Sequence, residues 1–161
     1  MSTIMSVMVE NHSGVLSRIA GLFARRGFNI ASLSVGETED PQVSRMTIVV
    51  EGDERQVEQV GKQLNKQIDV IGVRALSPDA ATRRELLLVK VGAAPQTRRE
   101  LIDIAGIMNC KTVDLSPAAL TLELCDSPEK VQELLGLLEP YGILETARTG
   151  TVALPRCINN F

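Results

Sequence analysis

Aromatic side chains are nearly absent from this 161-residue chain, which has no Trp, one Tyr and three Phe. A core must therefore come from Val, Ile, Leu, Met and Ala, and the 44% apolar content supplies them. Histidine is scarcer still: His12 is the only one, which excludes a multi-histidine metal site. The three cysteines are odd in number and form no CxxC pair, so no disulfide framework is expected. Cys110 and Cys125 lie within or beside strands and read as small buried hydrophobes. No apolar run reaches the roughly 20 residues that span a bilayer. Met1 to Glu10 lacks the charged start and small-residue cleavage site of a signal peptide. A cytoplasmic protein with no membrane partner is expected.

Charge of one sign is missing too. The net charge is −3, with eight basic and ten acidic residues from Met1 to Asp79 and nine and ten thereafter. No basic half or tail exists to follow a phosphate backbone, so nucleic acid is not an expected partner. Phe23, Phe28 and Phe161 form no strand pattern, which removes the stacking platform of an RNA-binding sheet. GxGxxG, GxxxxGK[ST] and GxSxG are all absent. Glu37, Glu39 and Asp40 crowd into one turn, which reads as a solvated hairpin rather than an acid–base pair. No catalytic constellation is visible, so a small enzyme on this fold is disfavoured.

What is present is a repeated order of elements. Ile4 to Val9 reads as a strand, apolar on both faces. Val15, Leu16, Ile19, Leu22 and Phe23 recur at helical spacing, and Gly27 ends that helix. Asn29 to Val35 and Val43 to Val50 follow as strands; Met46, Ile48 and Val50 share one face, Arg45 and Thr47 the other. Asp53 and Gln56 form a capping box for a helix with Val57, Val60 and Leu64 inward. Val70 to Leu76 is the fourth strand. The linker is Ser77 to Thr82.

The second half repeats this order: strand Leu86 to Val91, a helix opened by a Thr97–Glu100 capping box, strands Thr112 to Ser116 and Ala119 to Cys125, a helix capped by Ser127 with Pro128 at its first position, and strand Ile143 to Thr149. Gly150 to Phe161 has no pattern to assign it. The fold class is α+β, two ferredoxin-like βαββαβ domains, over residues 1–77 and 83–161. The doubly apolar first strand implies a sheet covered on both sides or extended by a partner, hence a dimer.

One loop carries candidate chemistry. Glu10-Asn11-His12-Ser13-Gly14 leads into a helix whose first amides, at Val15 and Leu16, point outward. The helix dipole favours an anion there, such as a carboxylate. Asn11 offers a donor and an acceptor that could also meet an ammonium group, and Gly14 admits close approach of a ligand. The plain reading, a capped turn with Ser13 as cap, stands beside this one.

Asn11, Ser13-Gly14-Val15-Leu16, Arg26-Gly27-Phe28-Asn29-Ile30, Asp40-Pro41 and Ser44-Arg45-Met46-Thr47-Ile48 together resemble the ACT domain of acetolactate synthase regulatory subunits. The resemblance is close over the first eighty residues and looser through Leu86 to Lys90 and Arg148 to Gly150. His12 departs from the family pattern, which often has an acidic residue in this loop; the departure bears on pH response or selectivity. The resemblance implies an ACT domain over 1–77 that dimerises and binds valine, and a C-terminal regulatory domain over 83–161. It assigns the ligand to Asn11, His12, Ser13, Gly14, Val15 and Leu16, completed by Asn29 and Ile30 of the neighbouring protomer. It also implies a larger catalytic subunit as partner. Thiamine diphosphate, magnesium and FAD are expected there, and no cofactor or metal in this chain. The alternative is a freestanding amino-acid-sensing ACT module that serves a different enzyme or regulator.

Overall fold

The computed structural model describes residues 2–157. They pack as two compact units, one running to Thr82 and regaining the chain from Gly150, the other Arg83–Thr149. In the first unit the order is β1 (Ser2–Glu10), α1 (Val15–Arg26), β2 (Asn29–Glu37), β3 (Val43–Glu51), α2 (Glu54–Asn65) and β4 (Val70–Leu76). The strands form one antiparallel sheet in the order β2-β3-β1-β4. This is the βαββαβ arrangement read from the periodicity.

The core lies between the sheet and the two helices. Met5, Val7 and Val9 of β1 and Met46, Ile48 and Val50 of β3 meet Val15, Ile19, Leu22 and Phe23 of α1 and Val60 and Leu64 of α2. Leu16 departs from the expected stripe and is 47% exposed. Each helical residue turns by ~100°, so Leu16 stands at the rim of the arc centred on Val15, Ile19 and Phe23. Phe23 and Phe28 meet edge to face, with centroids 6.2 Å apart, inside this core. Gly27 ends α1 at φ 66°, and the N–H of Phe28 donates to the Phe23 carbonyl. The Asp53 capping box is complete: its carboxylate accepts from the Gln56 amide, and the Gln56 side chain accepts from the Asp53 amide.

The opposite face of this sheet explains why β1 is apolar on both sides. Ile4, Leu76 and Val49 are covered by Ala81 and Ala153 of the same chain. The linker holds a 3-10 turn (Pro78–Ala80) and enters β5 (Ala81–Gly92) directly. The tail that has no sequence pattern contains β9 (Val152–Pro155), which pairs with β5. The Thr151 amide donates to Ser32 Oγ at 2.7 Å, and the Arg156 amide to the Ala80 carbonyl. Residues 150–157 thus pack with the first unit, whereas a division at the linker groups them with the second. A Cβ built on Gly150 would stand 2.4 Å from the Leu33 carbonyl oxygen, so only glycine fits.

In the second unit β5 is followed by α3 (Arg98–Ile107), β6 (Lys111–Leu115), β7 (Ala119–Asp126), α4 (Pro128–Leu138) and β8 (Ile143–Arg148), with sheet order β6-β7-β5-β8. Leu120, Leu122 and Leu124 point inward against Val131, Leu134 and Leu138 of α4. Ser127 accepts from the Lys130 amide and Pro128 opens α4, as expected. Two expectations fail. Thr97 and Glu100 form no capping box: the Thr97 hydroxyl donates to the Ala94 carbonyl, and Glu100 accepts from the Tyr141 hydroxyl at 2.7 Å. Cys125 is exposed, because the alternation that buries Leu124 turns its neighbour outward; Cys110 is partly buried on the core. No described helix is long and apolar enough to cross a membrane.

Gly150→Ala should lower stability by about 1–3 kcal/mol, since its Cβ meets backbone that cannot swing aside. Gly72→Ala, whose Cβ would meet nothing within 4 Å, should change stability by less than about 0.5 kcal/mol. Paired thermal melts check both; equal melting temperatures would show that the returning segment is not packed on Leu33.

Candidate functional site

Gly14 is where β1 turns into α1. Its φ of 88° lies in the left-handed region, and it occupies the N-cap of α1 with no side chain capping the helix. Ser13 is therefore not the cap that the plain reading allowed. The first intrahelical bond runs from the Arg18 amide to the Gly14 carbonyl at 3.0 Å, so the Val15, Leu16 and Ser17 amides have no acceptor in their own helix. Leu16 lies exposed beside them, while Val15 is buried. The Arg18 guanidinium passes close by: a Cβ on Gly14 would be 3.5 Å from its Nη1. Free amides, the helix dipole and this cation all favour an anion at the same place.

The rest of the loop is tied down on both sides. Asn11 Nδ2 donates to Glu37 Oε1 at 3.1 Å and to the Pro41 carbonyl at 2.8 Å, and its backbone amide donates to Gln42. Its donors are thus used within the chain, and the side-chain carbonyl is what it offers a ligand. His12 turns toward two carboxylates: Nε2 is 3.0 Å from Asp69 Oδ1 and 3.3 Å from Glu10 Oε2. Asp69 is buried and accepts from Arg18 Nε at 2.6 Å, while its backbone carbonyl accepts from the Glu10 amide.

The His12 pKa is raised from its ordinary 6.5, first by the hydrogen bond to the Ser13 carbonyl, against an opposing loss of hydration, and then by Asp69 and Glu10. Folding therefore favours imidazolium. That contribution is fully present below pH 6.5 and is lost as the pH rises through the folded-state value.

Asn29 and Ile30 are placed elsewhere. Asn29 pairs with Glu51, which pairs with Ser2, whereas Glu37 pairs with Ser44, which pairs with Val9. Asn29 and the Asn11 loop therefore stand at opposite ends of the sheet, roughly 25 Å apart by strand rise. Asn29 donates to Glu51 Oε2 at 2.9 Å, and Ile30 is half-buried on the core. Within one chain the structure gathers residues 11–16 and leaves 29 and 30 apart from them.

Sequence reasoning passed over Arg18 and Asp69 and read Glu37 only as part of a solvated turn. Arg18 and Asp69 are 51 positions apart and meet only because β4 lies beside β1. The one local signal was an acidic residue directly ahead of an otherwise apolar strand.

Comparison with known proteins bears on the family and the fold. Residues 5–72 match the family model described as an AHAS small subunit-like ACT domain, and residues 84–157 match the small subunit of acetolactate synthase. A probable acetolactate synthase small subunit from Methanothermobacter thermautotrophicus is 51% identical over 95% of this chain and 92% of its own length. The acetolactate synthase small subunit of Mycolicibacterium smegmatis is 48% identical over 94% and 89%. The crystal structure of the acetolactate synthase small subunit from Thermotoga maritima aligns with a TM-score of 0.90 at 36% identity, covering 98% of this chain and 99% of that one.

With a single histidine in the chain, proton NMR gives an unambiguous titration. In metal-free buffer the His12 midpoint should lie above 6.5, and Glu10→Gln should lower it. A midpoint at or below that value would mean that the imidazole does not face the carboxylates in solution.

Proposed function

The chain belongs to the acetolactate synthase small-subunit family, and from that premise we propose that it binds and activates the larger catalytic subunit and makes it sensitive to valine. The chain is a regulatory small subunit. On this reading catalysis, with thiamine diphosphate, magnesium and FAD, belongs to the partner. The present chain contributes an effector site and a docking surface.

The observation that carries the proposal is the uncapped start of α1. The valine carboxylate would accept from the Val15 and Leu16 amides beside Gly14, with Arg18 adding positive charge. The Asn11 side-chain carbonyl would accept from the ammonium group. Leu16, exposed at the same spot, offers apolar surface to a branched side chain.

Asn29 and Ile30 enter through a second copy. β2 is an edge strand whose one strand neighbour is β3; Gly150 and Thr151 lie against Leu33 and Ser32, and a second copy would pair along the edge that they leave. An antiparallel pair of β2 strands centred on Leu33 would bring Asn29 of one copy opposite Glu37 of the other. Glu37 already accepts from Asn11, so each symmetric pair would build two complete sites. A homodimer through the first domain is thus part of the proposal.

Feedback follows by linkage. Valine favours one arrangement of the dimer and docking on the catalytic subunit favours another, so each weakens the other by the same factor. For docking, the sheet face away from the helices is the proposed surface. Ser6, Met8, Arg45, Arg74 and Pro155 line a pocket of about 340 Å³ there, which would lie against the catalytic subunit. A freestanding sensor for another enzyme is the competing reading, and it predicts valine binding without activation of acetolactate synthase.

Titration calorimetry of the dimer with valine should give heat that Asn29→Ala weakens at least about tenfold, the scale of one hydrogen bond to a charged group. Gly14→Asp should abolish valine inhibition of the reconstituted enzyme while leaving activation intact. Its carboxylate would take Arg18 and the free amides for itself. Undiminished valine inhibition in both variants would show that the pocket is wrongly placed.

A further inference from the structure

Glu10 at the end of β1, His12 in the loop and Asp69 just before β4 bring three metal-ligating groups together. One ligand atom from each lies within 4.8 Å of the others. His12 Nε2 stands 3.0 Å from Asp69 Oδ1 and 3.3 Å from Glu10 Oε2. An ion bonded at about 2.1 Å to neighbouring donors holds them roughly 3.0–3.4 Å apart, in octahedral or tetrahedral geometry. The two separations from the imidazole already fall in that range.

The donors are also oriented from behind. His12 Nδ1 faces the Ser13 carbonyl at 3.2 Å, so it carries the proton in the neutral ring and leaves the Nε2 lone pair aimed at the carboxylates. Arg18 Nε holds the other oxygen of Asp69 at 2.6 Å, and this keeps Oδ1 turned toward the imidazole. Ligand histidines commonly donate their second N–H to a carbonyl, and ligand carboxylates are commonly held by a hydrogen bond of their own. Two anionic oxygens converging on one ring nitrogen can share either its proton or a metal ion, and the imidazole gives up that proton to make room for the ion.

We propose that Glu10, His12 and Asp69 form a binding site for one divalent first-row metal ion in the range from Mn²⁺ to Zn²⁺. One imidazole with two carboxylates is softer than the all-oxygen shells of calcium and magnesium, and it lacks the thiolates of a structural zinc site. A lone histidine excludes multi-histidine sites but not this donor set. His12 and Glu10 are exposed while Asp69 is buried. The ion is therefore anchored on Asp69 and keeps open positions for water or a further ligand. The site shares His12 and Arg18 with the proposed effector loop, but it needs no amino acid and no second copy, so metal binding can be tested without valine.

The test uses the full chain stripped with EDTA, with Mn²⁺ as the probe because thiols bind it weakly. Substoichiometric Mn²⁺ should broaden the ring protons of His12 ahead of other resonances. Mn²⁺ paramagnetic resonance should count one ion per chain. Affinity should fall at least about tenfold in His12→Gln and, separately, in Glu10→Gln; Arg18 still pairs with Asp69 in both, so both should fold, and thermal melts at the assay pH separate lost affinity from lost folding. Parental affinity in either variant, or broadening spread over surface carboxylates without preference for His12, would overturn the site. The imidazole would then share a proton with its carboxylates and nothing more.

Discussion

The geometry of the first unit depends on one buried carboxylate. Asp69 lies almost wholly out of water, where an unpaired anion would be costly. Arg18 and His12 supply its partners, and its own carbonyl accepts from the Glu10 amide. This single residue therefore ties the end of β1, the loop, the first turn of α1 and the approach to β4. It also fixes where Arg18 can reach, which places a guanidinium beside the uncapped amides at Gly14.

The two units share a topology but not this device. In the second unit the turn from β5 into α3 is filled by its own side chain: Arg98 Nη2 donates to the carbonyls of Ala93, Ser116 and Pro117. That cation satisfies local carbonyls, whereas Arg18 in the first unit holds a buried carboxylate. The buried Glu85, paired with Arg148 at 2.6 Å, joins β5 to β8 instead of holding a loop. Equal folds thus carry unequal chemistry, as expected when function resides in the site rather than in the scaffold.

Register does the remaining work. Strands two residues out of phase would still bury an aliphatic core, but they would move Glu37 away from Asn11. The observed register sets the Asn11 loop and Asn29 at opposite ends of the sheet. A site that used both, as proposed, would therefore need two copies of the chain. The returning segment fits the same scheme: it lies over Ile4, Val49 and Leu76 and supplies from within the chain a cover that β1 alone suggested could come from a partner.

Much of this was legible in the residues themselves. The twofold βαββαβ order, the helix stop at Gly27, the helix start at Asp53, and the inward leucines of β7 follow from short-range periodicity and capping, which neighbouring residues determine. The loop around Gly14 was legible too, because glycine before an apolar helix is a local signal. The Thr97–Glu100 pattern misled because Tyr141, far along the chain, takes the glutamate. Cys125 was misread because a strand has two faces and only packing says which one is covered. Asp69 and the course of residues 150–157 were beyond local reading altogether. Each is defined by partners at least fifty positions away, and such contacts exist only once the sheet has set which strands are neighbours.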